Sequence, residues 1–411
     1  RRPPPPPPPP PPATTQTEDF ALAAAPVYDP ASGTSTLQLD APLAHAHFSG
    51  NVLDDASSAG YNTHWPSLEL SATVALVGGW SNVVIRTAEA ESAHGGVVTI
   101  GGSRDGAWVG RANITDIEFE RMGKFAYQQP ALHFHYPGQS KREAEKAEFA
   151  SAVTRCVFGR SQAGAVQIDG GSSLLVADNV FHRTYRTALW VGKDSAGEGV
   201  RVVRNAALET LRHPEESTSW VRPFAAFLIE SRIGALEGNV AVGSTDAAFT
   251  VRPELERRCE GGDDGSERLE PSRVNEATAS VVGVFVLRAD NRRWQSSYCA
   301  TVKGFVAWKN AHVGLLTVDQ SVLMRVDSFA LADNHIGVSL NFHRPETDDM
   351  AHRVYYHNIT VLGATAASDG CDPASDECRA IGDFGGGSAA DIAKTIGASC
   401  NSVLGTTVWR A

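Results

Sequence analysis

The segment ALHFHYPG, Ala131–Gly138, sets two imidazoles two residues apart. In an extended strand successive side chains face opposite ways, so Leu132 and Phe134 share one face and His133 and His135 the other. Burial of the apolar pair turns both imidazoles outward. Two histidines at i and i+2 supply half of a metal site or a general acid–base pair. A purely structural pair, bonded to neighbouring chain, is the bland alternative. His182 and His343 are the further imidazoles that stacking could bring to the pair. Paired carboxylates beside His133 are not apparent, because Asp116, Asp169 and Asp178 read as turn residues. The sequence calls for no cofactor beyond a divalent metal at His133 and His135. It contains no HExxH helix, Gly-rich phosphate loop or nucleophile elbow.

The elements that would carry these residues repeat. Short β-branched runs recur, each followed by Asn or Asp and then a small or apolar residue, as in VTRCVFGRSQAGAVQI, VADNVFHRTYRTALWV and LADNHIGVSLNF. Cys156, Asn179 and Asn205 fall in register at spacings of 23 and 26, and Asn310, Asn334 and Asn358 at 24 and 24. A period of about 22–26 residues without helical spacing matches one turn of a parallel β-solenoid. Stacked turns lie about 4.8 Å apart, so aligned amides can bond up the stack. Asn also tolerates the left-handed backbone of a sharp corner. The asparagines are therefore expected to be structural.

Composition limits the partners. The 411 residues are 42% hydrophobic and 20% charged, with a net charge of −11 and Lys and Arg scattered. No basic stripe is available to neutralise phosphates, which argues against nucleic acid. The longest apolar run, Ser280–Leu287, is too short to span a bilayer, so no transmembrane segment is expected in this chain. The absence of an initiating Met and a leader reads as a fragment or processed form. Cys156 lies among strand-like residues and reads as a buried thiol. Cys259, Cys299, Cys371, Cys378 and Cys400 sit in or near polar loops and are disulfide candidates, favouring an oxidising compartment. The sequons at Asn113 and Asn358 agree with secretion.

Residues 1–12 hold ten prolines, a polyproline II rod of roughly 30 Å that serves as spacer or packing element. Residues 13–76 alternate as a β-rich lead-in, and 77–363 carry the β-helix, with insertions near 138–150 and 252–275. Residues 364–411 form a Gly-, Ser- and Ala-rich, Cys-containing segment whose helix near Ala389–Ile396 could cap the open end. The expected class is all-β: a right-handed parallel β-helix with an N-terminal polyproline II segment and a β-rich lead-in.

The stretches TLQLDAPLAHAHFSG, LELSATVALVGGWSNVVIRT, GRANITDIEFERMGKF…QPALHFHYPG and VTRCVFGRSQAGAVQIDGG resemble the fibrocystin-like and cell-migration-inducing hyaluronidase family, with its G8 region and β-helix repeats. The likeness covers roughly Thr36–Asn205, and its most specific part is the HFH segment. It implies a right-handed β-helix, a location outside the cell and, in some members, hyaluronan depolymerisation. Enzymes of this group carry a His and a pair of acids where this chain has Thr187, Gly192 and Lys193. The resemblance therefore supports the fold better than the activity.

The long proline tract resembles hydroxyproline-rich glycoproteins of algal walls and flagella. That likeness implies hydroxylation and O-glycosylation of Pro3, Pro4, Pro5, Pro6, Pro7, Pro8, Pro9, Pro10, Pro11 and Pro12. The reading from sequence is thus a structural extracellular glycoprotein rather than an enzyme. Its β-helix would be a rigid subunit of a fibre or of a cell-surface, flagellar or cell-wall coat, self-associating or binding other glycoproteins and glycans. The alternative is a polysaccharide-acting, hyaluronidase-like enzyme or glycan-binding module using His133 and His135, with His182 as a further catalytic candidate.

Overall fold

The computed structural model describes residues between 21 and 362, with breaks of which the longer are 44–48, 52–68, 89–94, 103–109, 136–150, 193–198, 213–223, 257–272, 288–298, 318–322 and 341–353. Among the described residues every regular element is a β-strand. Three parallel sheets form the sides of a solenoid. An eleven-stranded sheet runs from Val83–Arg86 to Val354–Leu362, and a nine-stranded sheet from Val98–Gly101 to Ile336–Leu340. A five-stranded sheet runs from Asn113–Thr115 to Ala235–Glu237. One coil comprises Ser151–Thr154, Val157–Gly159 and Val166–Asp169. The next lays Leu174–Ala177, Val180–His182 and Leu189–Val191 beside them in register. This is the parallel β-helix that the repeats predict.

Where the five-stranded sheet stops, the eleven-stranded sheet takes over its side. Cys299–Trp308 and Leu323–Ala332 are ten residues long, and each turns at a positive φ, at Gly304 (79°) and Ser328 (56°). The insertion at 252–275 opens with a strand, Glu254–Glu256, paired antiparallel with Cys299–Thr301.

Inside the coils, phenylalanines form a spine. Phe119 stacks on Phe158 at 4.7 Å, Phe158 on Phe181 at 5.3 Å, and Phe227 on Phe249 at 4.9 Å. Edge contacts and tilted contacts carry the series through Phe305 to Phe329. The first three rings come from the eleven-stranded sheet, and Phe227 and Phe249 from the nine-stranded one. The switch follows volume: Phe181 is succeeded in its column by Ala207, Ala241 and Ala277. Leu189, on the other side, is succeeded by Phe227 and Phe249. A dense core needs that exchange of large for small.

Two polar ladders hold the corners. At the first, Asn179 Oδ1 accepts from the Cys156 amide at 2.9 Å, and Asn205 Oδ1 accepts from the Asn179 amide and its Nδ2. Asn239 and Asn275 continue the stack. The sequence separations along it are 23, 26, 34 and 36 residues, so insertions lengthen coils without breaking register. At the second corner Ser244, Ser280, Asn310 and Asn334 form an equivalent series.

Two expectations need correction here. Asn310 and Asn334 do stack, but Asn358 does not join them. It lies in Val354–Leu362 between His357, opposite Asp327, and Ile359, opposite Phe329, on a different part of the coil. Nor do the ladder asparagines supply the left-handed backbone. That falls to the residues before Cys156, Asn179, Asn205 and Asn239: Arg155 (φ 51°), Asp178 (57°), Arg204 (54°) and Gly238 (63°) at the first corner. Non-glycine residues bear a steric cost there, which cross-coil ion pairs offset. Arg155 donates two bonds to Asp116, and Arg204 two to Asp178, all at 2.8 Å. Asp116 and Asp178 are therefore corner residues, as their sequence context suggested.

Part of the lead-in lies along the flank of the solenoid. Ser49–Asn51 pairs antiparallel with Glu69–Ser71, and Leu70, 1% exposed, packs with Val306, Trp308, Ala330, Ala332 and Leu362. Beside this contact Glu276 Oε1 accepts from Trp308 Nε1 at 2.7 Å, and burial raises the Glu276 carboxyl above its ordinary value. An acid raised in the folded state costs nothing below its unfolded pKa and destabilises as pH rises past it. Glu276→Gln keeps the shape without the charge. It is expected to raise the melting temperature at pH 7 and to leave it unchanged near pH 4, as thermal unfolding at the two pH values would show.

Cys156 is a buried free thiol, raised above the usual cysteine range by burial. Alkylation of the native protein followed by peptide mass mapping is expected to leave Cys156 unmodified, and alkylation in denaturant to modify it. Cys259, Cys371, Cys378 and Cys400, and the side chain of Cys299, lie outside the described residues. So do the proline tract, the insertion 138–150, His343 and residues 364–411.

Candidate functional site

The strand Leu132–His135 pairs in parallel with Val98–Gly101 on one side and Val166–Asp169 on the other. Leu132 and Phe134 are fully buried, while His133 is half-buried and His135 exposed. The alternation turns both imidazoles onto the outer face of the nine-stranded sheet, as the sequence predicts. The register then sets Gln167 beside His133 and Asp169 beside His135. Asp169 reaches diagonally: its Oδ2 lies 2.9 Å from His133 Nε2 and accepts from Gln167 Nε2 at 2.7 Å. The two imidazole rings are 5.4 Å apart and inclined at 59°. One ligand atom from each of His133, His135 and Asp169 lies within 4.8 Å of the others.

The next coil leaves room for this cluster. A β-carbon at Gly192 would stand 2.3 Å from Asp169 Oδ1, so only glycine there leaves the carboxylate its present place. Trp190 stands beside Gln167 and donates from Nε1 to Glu230 Oε2 at 2.8 Å. Beyond it the same face becomes apolar, with Leu228, Phe285 and Leu316 in one cluster. His135 is the last residue of Leu132–His135 and Asp169 the last of Val166–Asp169, so the cluster lies at the C-terminal ends of these strands.

His182 is not brought to this place. It ends Val180–His182 in the eleven-stranded sheet, buried, with its Nε2 3.8 Å from Glu209 Oε2. Thr187 is buried, and Lys193 lies outside the described residues. Asn113, the first residue of Asn113–Thr115, is exposed. Asn358 lies within Val354–Leu362.

Asp169 is the residue that sequence reasoning passed over as a turn former. The signal was present: VQID repeats the apolar–polar alternation of LHFH, and overlaying the two runs sets Asp169 on His135. The insertion at 138–150 hid that overlay, because His133 and Asp169 are 36 residues apart rather than one nominal period.

A second acid–imidazole pair, His357 Nδ1 to Asp327 Oδ1 at 3.0 Å, lies on the eleven-stranded sheet. Burial pushes the Asp327 carboxyl up, but hydrogen bonds from His357 and Ser328 and the nearby Arg325 outweigh it and hold the group below its ordinary value. Ringed by bonding partners, this pair reads as a structural network. The His133 and Asp169 side chains are both partly exposed, at 22% and 26%.

Residues 99–266 match the CEMIP beta-helix family. No curated protein and no solved structure matches the chain. The matched residues include His133, His135, Gln167, Asp169 and Gly192 and lie within the parallel coils described above. That stretch of the chain is therefore similar to the CEMIP beta-helix family.

Proposed function

We propose that the protein is an extracellular polysaccharide-acting β-helix protein whose working groups are His133, Asp169 and His135. The observation that carries this is the 2.9 Å contact of His133 Nε2 with Asp169 Oδ2 on an outward face, with His135 alongside. A carboxylate hydrogen-bonded to an imidazole fixes its orientation, and general acid–base transfer requires a ring held in place. A sugar chain lying across the coils at Thr99, His133 and Gln167 would bring a glycosidic oxygen to that imidazole. The resemblance to cell-migration-inducing hyaluronidases and the CEMIP-type domain name hyaluronan as the first substrate to test. The same relationship supports the extracellular location. Among the described residues no helix is long and apolar enough to cross a membrane.

Incubation with hyaluronan and related acidic polysaccharides, followed by measurement of chain length, tests this reading. The native protein is expected to shorten at least one of them, and His133→Ala to do so about 100-fold more slowly. Unchanged chain lengths across the panel would overturn it.

A specific observation also favours the structural reading. Gly192 stands where the resembled enzymes carry an acid, and the continuous ladders and phenylalanine spine make a stiff rod suited to a fibre or coat. Electron microscopy of native material would show one solenoid per regular repeat if that reading holds.

A further inference from the structure

The geometry points to a divalent transition-metal site formed by His133, His135 and Asp169. We propose that it takes one ion of the Zn2+ class, with at least one coordination position left open. A bound ion would take the His133 Nε2 lone pair that acid–base transfer needs for a proton, so the ion-bound and acid–base states exclude each other, and the test is read without any glycan.

Two imidazole nitrogens and one carboxylate oxygen are a donor set for zinc, cobalt, nickel or ferrous ions rather than calcium or magnesium, which prefer all-oxygen surroundings. With bonds of about 2.0–2.2 Å, ligand atoms around such an ion stand about 3–3.5 Å apart. His133 Nε2 and Asp169 Oδ2 are already 2.9 Å apart, close to that spacing. The largest separation among the three ligand atoms is within 4.8 Å. A turn of the exposed His135 side chain about its own torsions would close the remainder.

The backbone positions that carry the ligands are fixed. His133 and His135 alternate with Leu132 and Phe134, both fully buried, and Asp169 follows Ile168, also fully buried. All lie on paired strands of one sheet. Gln167 holds the Asp169 carboxylate at 2.7 Å, the kind of supporting bond that orients a metal ligand. Gly192 keeps the space beside Asp169 Oδ1 clear of any side chain of its own. Three protein ligands with an open position are the arrangement of a catalytic rather than a structural zinc centre. The ion would there polarise a bound water.

The test uses the full chain, stripped with chelator and titrated with Co2+ and then Zn2+ by calorimetry and visible absorption. One Co2+ per chain, with the absorption of a four- or five-coordinate ion and displacement by Zn2+, is the expected result. His135→Gln, a change at an exposed position, is expected to weaken binding at least tenfold. Asp169→Asn should do the same, with circular dichroism unchanged in both. No uptake of either ion would overturn the proposal. So would uptake of undiminished affinity in both variants, which would place the ion elsewhere. Cobalt binding by a protein that shortens no polysaccharide upholds the metal site and sinks only the catalytic reading. Shortening by metal-free protein that takes up no cobalt does the reverse.

Discussion

Asn205→Ala is expected to lower the stability of the solenoid by about 3–5 kcal/mol, the larger part coming from groups left behind. Asn205 Oδ1 accepts from the Asn179 backbone amide at 3.1 Å and from Asn179 Nδ2 at 2.9 Å. Its own Nδ2 donates to Val176 O, Val203 O and Asn239 Oδ1. All of these groups are in the buried corner, where water cannot replace the lost partner. An orphaned buried donor or acceptor costs about 1–3 kcal/mol, and alanine orphans more than one. The exposed Asn113 provides the contrast, since Asn113→Ala is expected to change stability by less than about 0.5 kcal/mol. Urea unfolding of both variants measures the difference. A loss below about 1 kcal/mol for Asn205→Ala would mean that the ladder is not what holds the corner.

Asp169→Asn is expected to reduce polysaccharide shortening about 100-fold while leaving the fold intact. Asparagine occupies the same volume and can still accept from Gln167. It lacks the carboxylate charge that faces His133 Nε2 across 2.9 Å. Gly192→Ala is expected to act in the same direction by a different route, because its β-carbon would stand 2.3 Å from Asp169 Oδ1 and displace the carboxylate. Initial rates of chain shortening measure both, with far-ultraviolet circular dichroism as the check on folding. A wild-type rate in Asp169→Asn would remove Asp169 from the mechanism.

How much of this was legible beforehand depended on which physical signal each residue gives. The coils were readable because burial on one face leaves alternation, as in LHFH, and because a stacked amide must recur in register, as Asn179 and Asn205 do. The false member of the second series, Asn358, shares the spacing but occupies a place on the coil where no ladder runs. Spacing alone does not distinguish corners of one coil. General preference favours asparagine at left-handed positions. The structure places arginine, aspartate and lysine there instead, and cross-coil ion pairs such as Arg155–Asp116 belong to the fold rather than to the local sequence.

The site divides the same way. His133 and His135 follow from local alternation and were visible. Asp169 becomes a partner only through the register between coils, and an insertion of unknown length stood between them. Substitution of volume across the core, Phe181 to Ala207 on one sheet and Leu189 to Phe227 on the other, is likewise invisible until the sheets face each other.

Imidazole proton resonances report directly on the outward face at His133. In nuclear magnetic resonance titrations of the full chain with hyaluronan oligosaccharides, the ring C–H signals of His133 and His135 are expected to shift and saturate together. Those of His182, buried on the eleven-stranded sheet, should stay in place. Shifts confined to other histidines, or none at any, across hyaluronan and the related polysaccharides, would contradict the assignment of this face as the working surface of the protein.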